Sequence, residues 1–187
     1  MNNKPLRDSF PDRPPITTED VEIFCRHALR GNVDSMAEML MRHGNPLLYR
    51  RDNIDACAIT WAAFGGHDDA IVFLLAEGAK VDAPGTDDRA ALSWAAEGGY
   101  EKTVRLLLNE GADPQARDMH GKTARDHAAA RGQMQIVRLL DDWQEKQVRE
   151  AEQKRLAESL AAGKARAAQD REALKRHGRG FHLKPPK

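Results

Sequence analysis

The string Gly121-Lys122-Thr123 has the form of the end of a phosphate-binding loop, where backbone N–H groups and a lysine would hold nucleotide phosphates. Such a loop needs a glycine five residues before the second one, and that position is Ala116. It also needs a preceding hydrophobic strand, whereas Asp113 to Met119 is polar. The histidines (27, 43, 67, 120, 127, 177 and 182) form no His-x-x-x-His pair on a helix face, and there is no Cys-x-x-Cys, so no zinc site is expected. Cys25 and His27 fall on opposite faces of a helix, which argues against a nucleophile–base pair. The few serines have no nucleophile-elbow context, and the carboxylates sit singly in turns and helix starts, where capping accounts for them. No catalytic residue, cofactor or metal is therefore expected, and the chain does not read as an enzyme.

Composition points the same way. The 187 residues are 41% hydrophobic and 31% charged, enough for one domain plus an appendage, with a mean hydropathy of −0.67 that leaves much of the chain solvated. Cys25 and Cys57 lie in apolar contexts and are expected as buried, reduced thiols. No apolar run reaches the roughly 18 residues that span a bilayer, and the start, MNNKPLRDSF, has no signal-peptide core. A cytoplasmic location is the expectation.

The elements that must position any functional side chain repeat every 33 residues. Residues 52–84 and 85–117 are identical at 13 of 33 positions, including Trp61-Ala62-Ala63 on Trp94-Ala95-Ala96 and Glu77-Gly78-Ala79 on Glu110-Gly111-Ala112. Each unit predicts two short helices. Ala58 to Phe64 is Ala-rich and stopped by Gly65-Gly66, and Asp68 to Glu77 carries an apolar stripe at period 3.6. Val81 to Asp88 then holds the turn dipeptide Pro84-Gly85. Helices this short are marginal alone, so each pair must bury its stripe against the next.

CAITWAAFGGH with AIVFLLAEGA, AALSWAAEGGY with TVRLLLNEGAD, and TARDHAAARGQ with IVRLL together resemble the ankyrin-repeat family, in a form like its prokaryotic members. A divergent copy, RHALRGN with VDSMAEMLMRHG, precedes them and suits an N-terminal cap. The resemblance implies an all-α solenoid of about four helix-turn-helix repeats over residues 17–143, with units 17–49, 52–84, 85–117 and 118–143. Thr60 and Ser93 stand where the family has histidine, and Arg125 where it has a core leucine. His67 falls on the family's own histidine, whose ring serves a local structural hydrogen bond. Family register also implies a concave partner-binding face. Its contact positions map to Asn53, Ile54, Ala56, Phe64 and Gly65 in the second repeat, and to Thr86, Asp87, Arg89, Glu97 and Gly98 in the third. In the fourth they are Met119, His120, Lys122, Ala130 and Arg131. Exposed Ile54, Phe64 and Met119 with arginine beside them would suit a protein interface. Trp61 and Trp94 are expected to stack along the inner helices in a packing role, with edges that could line the groove beside Phe64.

The flanks differ. Residues 1–16, with four prolines, read as a disordered leader, after which Thr17 or Thr18 caps a helix. After Leu140 no glycine or proline occurs until Gly163, and i,i+4 pairs such as Glu145–Arg149 recur. The last outer helix is thus expected from about Gln133 to Ala162, roughly 45 Å long. Residues 144–162 would be its solvated extension, since Trp143, Val148 and Leu156 form no sustained heptad. Gly163 should weaken it, leaving 163–187 a basic, partly disordered tail in which Lys164 to Lys175 reads as a second helical stretch and HGRGFHLKPPK as a loose end or a short linear motif. That tail carries a net +6, and the preceding 162 residues −6, so a net charge of zero hides an acidic body and a basic end. The reading is a monomeric, non-enzymatic protein-binding module of adaptor, inhibitor or immunity type. Two alternatives stand: a basic tail that contacts nucleic acid or an anionic membrane, and a bacterial effector acting on host proteins.

Overall fold

The computed structural model describes residues 15–177, and within them eight α-helices and no strand. They pair as α1 (Thr18–Leu29) with α2 (Val33–His43), α3 (Ala58–Gly65) with α4 (Asp68–Ala76), and α5 (Ala91–Gly98) with α6 (Glu101–Asn109). The last pair is α7 (Ala124–Ala130) and α8 (Met134–His177). Inner helices pack in chain order, α1 on α3, α3 on α5 and α5 on α7, while α2, α4 and α6 form the outer row. Two compact units divide after Asp141.

The 33-residue period becomes columns of buried side chains. Ala62, Ala95 and Ala128 are fully buried on successive inner helices, with Ala28 continuing the column in α1. Their small side chains let short helices approach closely. Ile71, Val104 and Val137, then Leu74, Leu107 and Leu140, form the outer columns, where each fully buried aliphatic contributes about 1.5–3 kcal/mol.

Turns between paired helices lock each repeat to the previous one. Gly66 and Gly99 end α3 and α5 in left-handed conformations, with φ of +68° and +74°. A Cβ on Gly66 would lie 2.7 Å from the Tyr100 ring, and one on Gly99 2.7 Å from the Gln133 amide. His67, Tyr100 and Gln133 are one position in three repeats, and each covers the glycine turn of its predecessor. His67 Nε2 lies 2.9 Å from the carbonyl oxygen of Leu29. Its structural hydrogen bond therefore joins two repeats; the family register implied only a local one.

Helix starts use capping boxes at both ends of the repeat array. Thr17 Oγ1 accepts from Asp20 N while the Asp20 carboxylate accepts from Thr17 N, and Thr123 with Asp126 repeats the device on α7. Hydrogen bonds from the Thr17 side chain and backbone hold the Asp20 carboxyl below the ordinary carboxylate range. Arg125, at the family's core leucine position, is exposed and makes a bidentate pair with Asp141 at 2.7 and 3.0 Å. That pair raises the Arg125 pKa and lowers that of Asp141.

The C-terminal helix departs from expectation. α8 runs 44 residues to His177 and passes Gly163 without a break, so the expected second stretch, Lys164 to Lys175, continues the same helix. A Cβ at Gly163 would meet nothing within 4 Å, and the flanking sequence is rich in alanine, lysine, arginine and glutamate, whose helix preference outweighs one glycine. Glu145–Arg149 forms at 2.9 Å as expected, but Lys146 pairs forward with Glu150 at 3.8 Å rather than back with Asp142. Most of the expected leader, and the segment around Phe181, His182 and Leu183, lie outside the described residues.

Candidate functional site: the inner-helix face

The hairpin tips are joined into a row. Thr86 Oγ1 donates to the Ile54 carbonyl at 2.8 Å, and Met119 N donates to the Asp87 carbonyl at 3.0 Å. Tips of repeats two, three and four thereby present Ile54, Asp87 and Met119 side by side. Ile54 is 47% exposed, Phe64 48% and Met119 63%, a cost in water that a covering partner would remove.

Two of the three tips share one internal brace. Asp52 Oδ1 accepts from Ile54 N and Ala56 N at 3.0 and 2.9 Å, while its Oδ2 accepts from Trp61 Nε1 at 2.6 Å. Sixty-six positions on, Asp118 Oδ1 accepts from His120 N and Lys122 N at 2.9 Å each, and its Oδ2 lies 2.7 Å from His127 Nε2. Burial pushes the Asp118 carboxyl up, but these donors outweigh it and its pKa lies below the ordinary range.

In the middle repeat the equivalent residue is Gly85, and the brace is missing. Trp94, the counterpart of Trp61 and His127, has no carboxylate to bind. Instead the Arg89 guanidinium carbon sits 3.6 Å from the centre of the Trp94 ring, and Arg89 ion-pairs with Glu97. Glu97 also takes Arg131, at 2.6 Å. Burial raises the Glu97 carboxyl, yet the hydrogen bonds from Arg89 and Arg131 win and its pKa is lowered.

Beside this network lies an apolar recess of about 250 Å³, walled by Ile54, Ala56, Thr60, Trp61, Phe64, Thr86 and Trp94. Phe64 stands edge-on between the two tryptophans, its centroid 5.9 Å from Trp61 and 5.4 Å from Trp94. The tryptophans therefore do not stack on each other along the inner helices: Phe64 separates them, and all three rings line the recess.

The positions implied by family register fall into distinct settings. Ile54, Ala56, Phe64 and Thr86 meet at the recess, while Arg89, Glu97 and Arg131 form the ion network. Asp87 and Met119 lie in the tip row, where Met119, His120 and Lys122 are exposed. Asn53 is exposed at a separate shallow depression with Glu22, Cys25 and Arg26. Two positions are not the surface contacts that register implies. Ala56 is buried beneath the tip, and Arg89 is only 9% exposed because Trp94 and Glu97 claim its guanidinium. Thr60 was absent from the register and joins the recess, where Trp61 and Trp94 stand beside Phe64 as their expected edges would.

Among the described residues no three His, Cys, Asp or Glu side chains converge as metal ligands, and no helix is long and apolar enough to cross a membrane. Both cysteines are free and buried, and burial pushes the Cys25 thiol far up, away from the reactive thiolate.

Residues 59–150 match the family model for ankyrin repeats, in three copies. Over that segment the chain is an ankyrin-repeat protein, and the all-α repeat fold agrees. Ankyrin repeats are in general protein-interaction modules without catalytic activity. No curated protein sequence matches the chain.

Proposed function

We propose that the chain is a non-catalytic binding module that holds a segment of another protein across its hairpin tips and inner helices, as an adaptor, inhibitor or immunity-type protein. One observation carries this reading: Ile54, Phe64, Trp61 and Trp94 gather around an uncovered apolar recess beside a linked row of tips. Interfaces draw their energy from such aromatic clusters ringed by polar groups. A monomer in a reducing cytoplasm fits the two buried, free thiols.

The test is partner capture by an Ile54→Ala/Phe64→Ala chain. Both side chains are about half exposed, so the fold should persist while capture is lost. Retained capture would place the site elsewhere. Arg89 is unsuitable for this test, because an acidic substitution would face Glu97 in a nearly buried setting.

A second reading rests on the charge division. The +6 of residues 163–187 could hold a nucleic acid or an anionic membrane, with the repeats as scaffold. An effector role on host proteins would use the same binding face.

A further inference from the structure

We infer that the recess between α3 and α5 takes one uncharged apolar side chain, phenylalanine, leucine or methionine, from a separate protein segment that carries a lysine or arginine within three residues of it. This rests on the binding reading above and specifies the partner's chemistry.

Size sets the first limit. At about 250 Å³ the recess is below the roughly 300–1,000 Å³ of small-molecule sites, and suits one large side chain. Hydrogen-bonding capacity sets the second. The two hydroxyls in its wall are committed, Thr60 Oγ1 to the Cys57 carbonyl at 2.7 Å and Thr86 Oγ1 to the Ile54 carbonyl at 2.8 Å. A polar side chain entering there would lose its water and find only the Trp94 indole N–H as an unpartnered side-chain donor in the wall.

Charge sets the third. Arg89 already occupies a face of Trp94 at 3.6 Å, so one of the three rings in the wall has its cation, and that guanidinium repels a second one. A lysine anchor is disfavoured on that ground. A carboxylate anchor is disfavoured too, since the exposed carboxylates of Asp87 and Asp88 follow Thr86 in the wall and Glu97 already holds the Arg89 ion pair.

Complementarity outside the recess fixes the flank. Asp87 and Asp88 follow directly on Thr86 in its wall, are exposed, and form no ion pair with a described residue. Both hold φ of +58°, so the tip is a sharp turn presenting two adjacent carboxylates. By contrast Asp55 is paired with Arg51 at 2.6 Å and Glu97 with two arginines. An extended segment advances about 3.3–3.6 Å per residue, which brings a cation one to three residues from the anchor over this tip.

The experiment is selection of a randomised twelve-residue peptide display library on the full chain, followed by anisotropy titration of the enriched peptides. The expected result is a shared Phe, Leu or Met with Lys or Arg within three positions. Affinity should fall about tenfold or more on Ile54→Glu, which puts a charge in the recess wall. It should fall about threefold on Asp87→Asn/Asp88→Asn, where asparagine tolerates the positive φ. Circular dichroism melts of both variants should match the parent chain. Enriched peptides with a charged anchor or an acidic flank, yet sensitive to Ile54→Glu, would overturn the chemistry and leave the binding face standing. Peptides indifferent to Ile54→Glu, or no enrichment, would overturn both. Concentration-dependent dimers abolished by Ile54→Glu in sedimentation equilibrium would make a second copy the occupant and overturn the proposal. So would a gain of about tenfold in peptide affinity on deleting residues 178–187, whose Phe181 and Leu183 lie between Arg179 and Lys184.

Discussion

Arg89 shows how one side chain changes role with its surroundings. By register it is a surface contact; by packing it is a nearly buried strut between Trp94 and Glu97. Arg89→Glu would bring two carboxylates together with no solvent to separate them, and should cost about 3 kcal/mol or more in urea unfolding. Asp118 is the parallel case at the fourth tip, its side chain fully buried and serving three donors. Asp118→Ala leaves those donors without their acceptor and should cost about 2–3 kcal/mol. The pH dependence follows from a lowered native pKa. The contribution is complete above the ordinary carboxylate value of about 4 and disappears as pH falls through the lower native one. Unfolding curves of the parent chain and Asp118→Ala should therefore keep a constant gap from neutrality to about pH 5 and converge below about pH 4. A constant gap down to pH 2 would show that charge plays no part.

At the scale of elements, the sequence tells most where a residue type recurs at fixed spacing. Alanine columns, glycine stops and aliphatic stripes recur every 33 residues, so the helices are predictable to within a residue or two. The recess is harder to read, because it arises from an exception. Gly85 breaks the Asp52/Asp118 series, and the consequence appears only when Arg89, four positions after Gly85, folds over Trp94. The unbroken course of α8 is hard to read for a different reason: a lone glycine weakens a helix but ends it only with a positive φ or a close neighbour, and Gly163 has neither. Gly163→Ala should accordingly strengthen the helix by about 0.5–1 kcal/mol, seen as greater ellipticity at 222 nm on heating. Gly99→Ala should do the reverse, since φ is +74° and Gln133 covers the site, at a cost of about 1 kcal/mol or more.

At the scale of the whole molecule, charge is unevenly shared between an acidic body and a basic end. Repeat proteins draw stability from contacts between neighbouring units, so deleting residues 163–187 should shift the melting of the repeats by less than about 2 °C. The same deletion separates the two functional readings when combined with salt. Binding through the recess gains its energy from apolar burial, with at most one cation opposite Asp87 and Asp88, and should weaken no more than about threefold between 50 and 200 mM salt. Binding of a polyanion through the eight basic side chains of residues 163–187 would release a counterion for each phosphate neutralised. It should then lose about a thousandfold or more over the same range. Isothermal titration of the full chain with an enriched peptide, and separately with a heparin oligosaccharide, reads both numbers. On the binding-face reading, peptide affinity is nearly flat with salt and survives the deletion. If only heparin binds, and binding disappears with residues 163–187, the basic end is the functional part and the repeats are its support.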